Sequence, residues 1–202
     1  MMANDCNYEM KVTGHPEDIK EFIKVIQADY NYIKQEFSYE RHLYRVFEAE
    51  YCELEEEDAE NNIWSCIIYG YCAWSVYCCM LEGPSTYYNE NYPYHTVYID
   101  GKNIEILSKG TSLIKESAKL NLTIEVFSEE IGMGFQEHFV IEYGECIINE
   151  CVDYKEYYWD KKEHPTLEEF NAEHGTNFTL EDDSDQDTFY IGGFGEWVYD
   201  EF

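Results

Sequence analysis

The side chains best suited to covalent chemistry in this sequence are thiols. Eight cysteines are present: Cys6, Cys52, Cys66, Cys72, Cys78, Cys79, Cys146 and Cys151. Cys72 has the most suggestive context. In the run CAWSVYCCML, Ala73, Val76, Tyr77 and Met80 share one helical face, with strand as the open alternative. Cys72 would then follow a strand at a helix start, where the helix dipole favours a thiolate. Such a nucleophile also needs a base, and His95 and His138 are the candidates. The many carboxylates oppose this, because negative charge raises a thiol pKa. The apolar neighbours of the cysteines suit thiols that pack as small hydrophobes. Core thiols are therefore the favoured reading, and a small cysteine-dependent enzyme is the alternative.

Metal chemistry is poorly served. There is no Cys-x-x-Cys pair, adjacent Cys78 and Cys79 cannot easily face one ion, and His138 stands alone. Asp183, Asp185 and Asp187 imitate the start of a calcium loop. Thr188 then stands where the sixth-position Gly belongs, and Phe194 where the bidentate Glu belongs. A solvated acidic loop is expected there. Carboxylate pairs are too frequent among 43 acids to mark a catalytic site. Gly132, Gly134 and the IGGFG run at 191–195 lack the Lys-Ser/Thr of a phosphate loop. The expectation is no catalytic residue, no metal, no cofactor, and a protein that acts by binding.

Charge points the same way. Against 43 Asp and Glu stand 13 Lys and Arg, a formal net charge of −30. Solubility of a small domain needs only a magnitude of roughly 2–8. The chain is also 45% hydrophobic, with 20 Tyr, 11 Phe and 4 Trp, which suits a packed core and not a disordered acidic tail. The acids gather in blocks: Glu50, Glu53, Glu55, Glu56, Glu57, Asp58 and Glu60 in one, Glu181, Asp182, Asp183, Asp185 and Asp187 in another, and Glu196, Asp200 and Glu201 in a third. Trp159 and Trp197 lie beside acids and are expected to anchor an interface. Direct binding of nucleic acid is disfavoured, since phosphates would be repelled. A solvated, halophilic surface is one reading of this charge, and a cationic protein groove as partner is the other.

The elements that must position these residues follow from periodicity. Tyr8, Met10 and Val12 alternate in a first strand ending at Gly14, and a helix opens at Pro16 with Ile19, Phe22, Ile23 and Ile26 on its buried face. His42–Leu54 reads as one strand, EEEDAENN as a turn or exposed hairpin tip, and Ile63–Tyr69 as the next strand. Residues 82–95 read as loop. A second helix starts near Thr111 or Ser112 and runs to about Lys119; a strand holds Leu122, Ile124 and Val126; Ser128–Gly134 turns; and a hairpin pairs Phe135–Tyr143 with Cys146–Val152. Thr166 and Glu169 make a capping box for a short helix that Gly175 ends. The order β-α-β-β-α-β with an extra hairpin implies an α+β, ferredoxin-like split βαβ domain over 1–160. An acidic, aromatic C-terminal extension over 161–202 packs on it.

The opening NDCNYEMKVTGHPEDIKEFI resembles the YubB/Api92-like ferredoxin-fold proteins of phages and plasmids, with Asp5 where Trp is usual. YGYCAWSVYCCMLEG and EVFSEEIGMGFQEHFVIEYGE are similar to uncharacterised relatives from gut bacteria. The resemblance covers patches of roughly 3–155 and leaves out the acidic tail. It implies a fold and a mobile-element setting, with no catalytic residues to carry over. Together with the charge, it makes the expected function inhibition of a host nuclease or CRISPR effector by nucleic-acid mimicry, of anti-CRISPR or anti-restriction type. A housekeeping or scaffold protein is a further alternative. The start MMANDCNYEM has no basic or apolar leader character and no apolar run approaches about 20 residues, so a cytoplasmic protein off the membrane is expected.

Overall fold

A computed structural model describes residues 5–31, 36–82, 94–99, 102–107, 109–130, 132–182 and 187–194. The elements run β1 (Asp5–Gly14), α1 (Pro16–Ile26), β2 (Tyr30–Asn31), β3 (Glu36–Phe37), β4 (Arg41–Leu43), β5 (Val46–Tyr51), β6 (Glu55–Asp58) and β7 (Ile63–Ala73). After a π-helical turn, Tyr77–Leu81, come β8 (Tyr94–Ile99), β9 (Lys102–Leu107), β10 (Lys109–Thr111) and α2 (Leu113–Leu120). Then follow β11 (Thr123–Glu130), β12 (Phe135–Glu142), β13 (Glu145–Tyr158), α3 (Leu167–His174) and β14 (Thr188–Gly192).

The fold is mixed α+β, built on an eight-stranded antiparallel sheet of order β14-β13-β12-β11-β1-β7-β5, with β6 also paired to β7. β4 and β10 form a short parallel pair, and β2–β3 and β8–β9 are small antiparallel pairs. The period-2 pattern of β1 sets the layers. Cys6, Tyr8, Met10 and Val12 are buried, and the alternate residues are not. On the buried side lie Ile19, Phe22, Ile23, Val25 and Ile26 of α1 and Leu113 and Leu120 of α2, packed with Ile68, Ile124, Val126, Phe139 and Ile141 of the sheet. Pro16 opens α1 with Glu17 and Asp18 at its positive end. Ser112 caps α2 by accepting from the Lys115 N–H, and Asn121 closes it in the left-handed region. Arg41 lies between the helices and holds Glu21 of α1 and Glu116 of α2.

A second, smaller core sits beyond β13. Trp159, Phe170 and Phe189 are buried together, with Tyr157, Leu167 and Phe178 against them. The capping box of Thr166 and Glu169 starts α3, and Gly175 ends it at φ 68°. β14 then returns to pair with β13, so the C-terminal part joins the main sheet.

Several expectations need correction. The stretch from His42 is not one strand. β4 ends at Leu43, Arg45 turns at φ 54°, and β5 follows. Part of the EEEDAENN turn is strand β6. The strand at Ile63 runs on to Ala73, so Cys72 lies within β7 and not at a helix start. Trp74 turns the chain at φ 67° before the π-helical turn. The Ser128–Gly134 turn is shorter than expected, since β11 continues to Glu130. The sheet is twice the size of a four-stranded split βαβ, because β12, β13 and β14 extend one side and β6 widens the other. Most of the loop expected at 82–95 lies outside the described residues, as do Asp183, Asp185 and Trp197. No helix among the described residues is long and apolar enough to cross a membrane.

Candidate acidic binding face

The helices cover one face of the sheet, and the other face carries the alternate residues of the same strands. Register places them in cross-strand rows. One row runs Glu50 (β5), Tyr69 (β7), Glu9 (β1), Phe127 (β11), His138 (β12), Glu150 (β13). The next runs Glu48, Tyr71, Asn7, Glu129, Gln136, Val152. Acids and rings therefore lie side by side in rows that span five inter-strand spacings, roughly 24 Å at about 4.8 Å each. Cross-strand neighbours on one face touch, so the row is a contact chain. The Tyr69 hydroxyl donates to Glu50 at 3.0 Å. Phe127 and His138 stack at 4.0 Å, and His138 Nε2 meets Glu125 at 3.0 Å. Phe194 lies edge-on to both rings, so the chain after β14 partly covers this end.

The β5 end of the face is open. Asn7, Tyr8, Glu48, Glu50, Tyr69, Gly70 and Tyr71 line a hollow of about 260 Å³. Gly70 is required for its shape. A Cβ there would meet the Glu48 carbonyl oxygen at 2.0 Å, and that carbonyl also accepts from the buried Tyr8 hydroxyl at 2.8 Å. The irregularity in β5 between Val46 and Glu48 sets this close approach. Hydrogen bonds to Glu50 and Glu48 push the Tyr69 and Tyr71 hydroxyls above the usual phenol range. Burial raises the Glu9 carboxyl. Two carboxylates and two tyrosine rings line this hollow, a chemistry that suits a cationic side chain by ion pairing and by the ring faces.

The acidic residues expected to bind a partner divide on inspection. Glu53, Glu55, Glu56 and Glu60 are exposed beside this face. Glu57 instead pairs with Lys11 at 2.8 Å and accepts from Ser65, and those contacts hold its carboxyl below the usual range. Asp58 closes its own turn by accepting from the Asn61 side chain and from the N–H groups of Glu60 and Asn61, which lowers its pKa. The second acidic group lies across the sheet. Asp187, directly before β14, is six inter-strand spacings from β6, roughly 29 Å. The structure does not bring the two groups together. Asp182 accepts from the Thr179 N–H and hydroxyl within its own turn, and Asp187 ties β14 to the chain after β13 by pairing with Lys161 at 2.5 Å; Glu181 is exposed. Trp159 is 7% exposed and donates its indole N–H to the His164 carbonyl, so its ring belongs to the second core and not to an open surface.

Cys72 is fully buried between Cys6 and Cys79, and hydrogen bonds among these thiols, with burial, push it well above the usual thiol range. Its side chain belongs to the main core. The face built from Glu48, Glu50, Tyr69 and Tyr71 was missed in the sequence. Its signal is the alternation E-x-E in one strand against Y-x-Y in the next, and only register makes the two adjacent. Among the described residues, one group of three possible metal ligands is close together: His164, Glu173 and His174, whose ligand atoms lie within 4.8 Å of one another. Comparison with protein-family models, with curated proteins and with solved structures finds no match to this chain.

Proposed function

We propose that this protein binds a basic groove of a nucleic-acid-binding protein and occupies it in place of DNA or RNA. The observation that carries this reading is the hollow in which Glu48, Glu50, Tyr69 and Tyr71 converge on an uncovered sheet face, flanked by exposed Glu53, Glu55, Glu56 and Glu60. An arginine of the partner fits such a hollow, with its guanidinium on the carboxylates and its plane on a tyrosine ring. Buried arginine contacts of this kind dominate interface energies, and the flanking acids steer the approach. The net charge of −30 makes that steering long-ranged at low salt.

The target class follows from the resemblance to phage and plasmid proteins: a host nuclease or CRISPR effector, whose nucleic-acid channel is lined by Lys and Arg. The order of the four central strands, β11-β1-β7-β5, supports a split βαβ centre; α1 links the first of them to the β5 side, and α2 precedes β11. The experiment is a competition assay with purified candidate effectors. The protein is expected to displace DNA or guide RNA, with an affinity that falls steeply between 50 mM and 300 mM salt. Glu48→Lys with Glu50→Lys should weaken it at least 100-fold, whereas Glu181→Lys should change it less than threefold. Equal effects at both places, or no binding to any basic effector at low salt, would overturn the reading.

A further inference from the structure

We infer that His164, Glu173 and His174 form a binding site for a divalent transition-metal ion, zinc by its chemistry. The donor set is two imidazole nitrogens and one carboxylate oxygen. That set suits zinc and its neighbours and not calcium or magnesium, which take oxygen ligands. Three protein ligands leave a fourth tetrahedral position for water.

The geometry is close to that of a formed site. Bonds of about 2.0–2.1 Å at a tetrahedral zinc put ligand atoms roughly 3.4 Å apart. His164 Nε2 and Glu173 Oε2 already stand at 3.5 Å. The widest spacing in the group is within 4.8 Å, and side-chain rotation of exposed Glu173 and His174 closes the difference. The His164–Glu173 ion pair involves two of the donors, and packing brings the third to them, with the His164 and His174 ring centroids 6.1 Å apart.

The two histidines are also positioned by the fold. Asp160 closes the turn before His164, accepting from the Lys162 N–H with its side chain and from the Glu163 and His164 N–H groups with its carbonyl. Trp159 fixes the His164 carbonyl. The His174 ring packs on Phe170 at 4.6 Å and against Tyr157 at 5.6 Å, in the last turn of a helix with both ends capped. A bound ion would tie this turn to the end of α3. The second core has three buried hydrophobic side chains, and a core so small gains most from such a tie.

The test uses the full chain, stripped with chelator and kept reduced, titrated calorimetrically with zinc and spectroscopically with cobalt(II). One equivalent is expected, with visible cobalt bands and no near-ultraviolet thiolate charge-transfer band, since exposed Cys52, Cys78 and Cys151 are the competing ligands. Glu173→Ala and His174→Ala alter exposed side chains and should fold; each should weaken binding at least tenfold. Absence of zinc binding at millimolar metal, wild-type affinity in either variant, or a thiolate band on the bound equivalent would overturn the assignment.

Discussion

Glu129 gives the sharpest test of the packing on the open side of the sheet. It is 5% exposed, and burial, with the nearby Glu156 carboxylate adding, pushes its pKa up to about 8. In the unfolded chain the same carboxyl releases its proton near pH 4.5. Between these values the folded protein keeps a proton that the unfolded chain gives up. The stability associated with Glu129 is therefore fully present below about pH 4.5 and is lost as pH rises towards 8. Each unit of difference is worth about 1.4 kcal/mol. The loss reaches roughly 3 kcal/mol at pH 7 and roughly 5 kcal/mol above pH 8.

Glu129→Gln keeps the shape and removes the titration. Its advantage over the wild type should grow by about 3 kcal/mol between pH 5.5 and pH 8. Urea unfolding of both proteins at half-unit steps measures this directly. Self-repulsion among the surface acids also varies with pH, but it is common to both chains and cancels in the difference. A difference that stays flat within about 0.5 kcal/mol over that range would refute the argument, because it would mean that Glu129 is ionised and solvated in the folded state.

Three other outcomes follow. Phe170→Ala empties the second core and should destabilise the protein by about 3–5 kcal/mol in chemical unfolding, with the α3 amides losing hydrogen-exchange protection first; uniform loss across the sheet would contradict a separate small core. Gly70→Ala forces a Cβ onto the Glu48 carbonyl, so β5 must move; a cost of about 1–3 kcal/mol and faster exchange at β5 amides are expected, and unchanged stability would rule out the close approach. In native protein, iodoacetamide should label Cys52, Cys78 and Cys151, while Cys6, Cys66, Cys72 and Cys79 react only on unfolding; rapid labelling of Cys72, read by mass spectrometry, would revive the enzyme alternative.

Local signals in the sequence carried well. The capping box at Thr166 and Glu169, Pro16 at a helix start, Ser112 as a cap and the alternation of Tyr8, Met10 and Val12 each act within a few residues, so they read directly. The stretch 72–81 read as helix because Ala73, Val76, Tyr77 and Met80 do share a spacing, yet pairing with β1 carries the strand through Cys72 and Ala73. Tertiary pairing outweighs a weak local period there. The acidic–aromatic rows were hidden for a deeper reason. They are perpendicular to the chain, and register between strands distant in sequence decides which Glu meets which Tyr. The group of His164, Glu173 and His174 was hidden likewise, since the two histidines meet only when both pack against Phe170.

Net charge alone assigns every carboxylate to the surface, and four glutamates show why that inference is incomplete. Glu116, Glu129, Glu130 and Glu137 are all at most 5% exposed. Each is accommodated differently. Glu116 takes the Arg41 guanidinium and the Thr111 hydroxyl. Glu137 accepts from the Val76 and Tyr77 N–H groups and from Ser128, and so fixes the start of the π-helical turn. Glu130 accepts the Met133 N–H at the end of β11. Glu129 keeps its proton. A buried acid without such a partner would cost several kcal/mol, so these residues hold the fold and are unavailable to a partner. Glu57, Asp58, Asp182 and Asp187 are committed to local contacts as well. The acids left exposed are fewer than −30 suggests: Glu48, Glu50, Glu53, Glu55, Glu56 and Glu60 lie on the edge where two tyrosines face a hollow, and others, such as Glu145, Glu150 and Glu156, lie along β13. Charge reversal at Glu48 and Glu50 should therefore weaken the proposed binding while leaving the folded state intact, whereas neutralising Glu116 or Glu137 should destabilise the fold and leave this face unchanged.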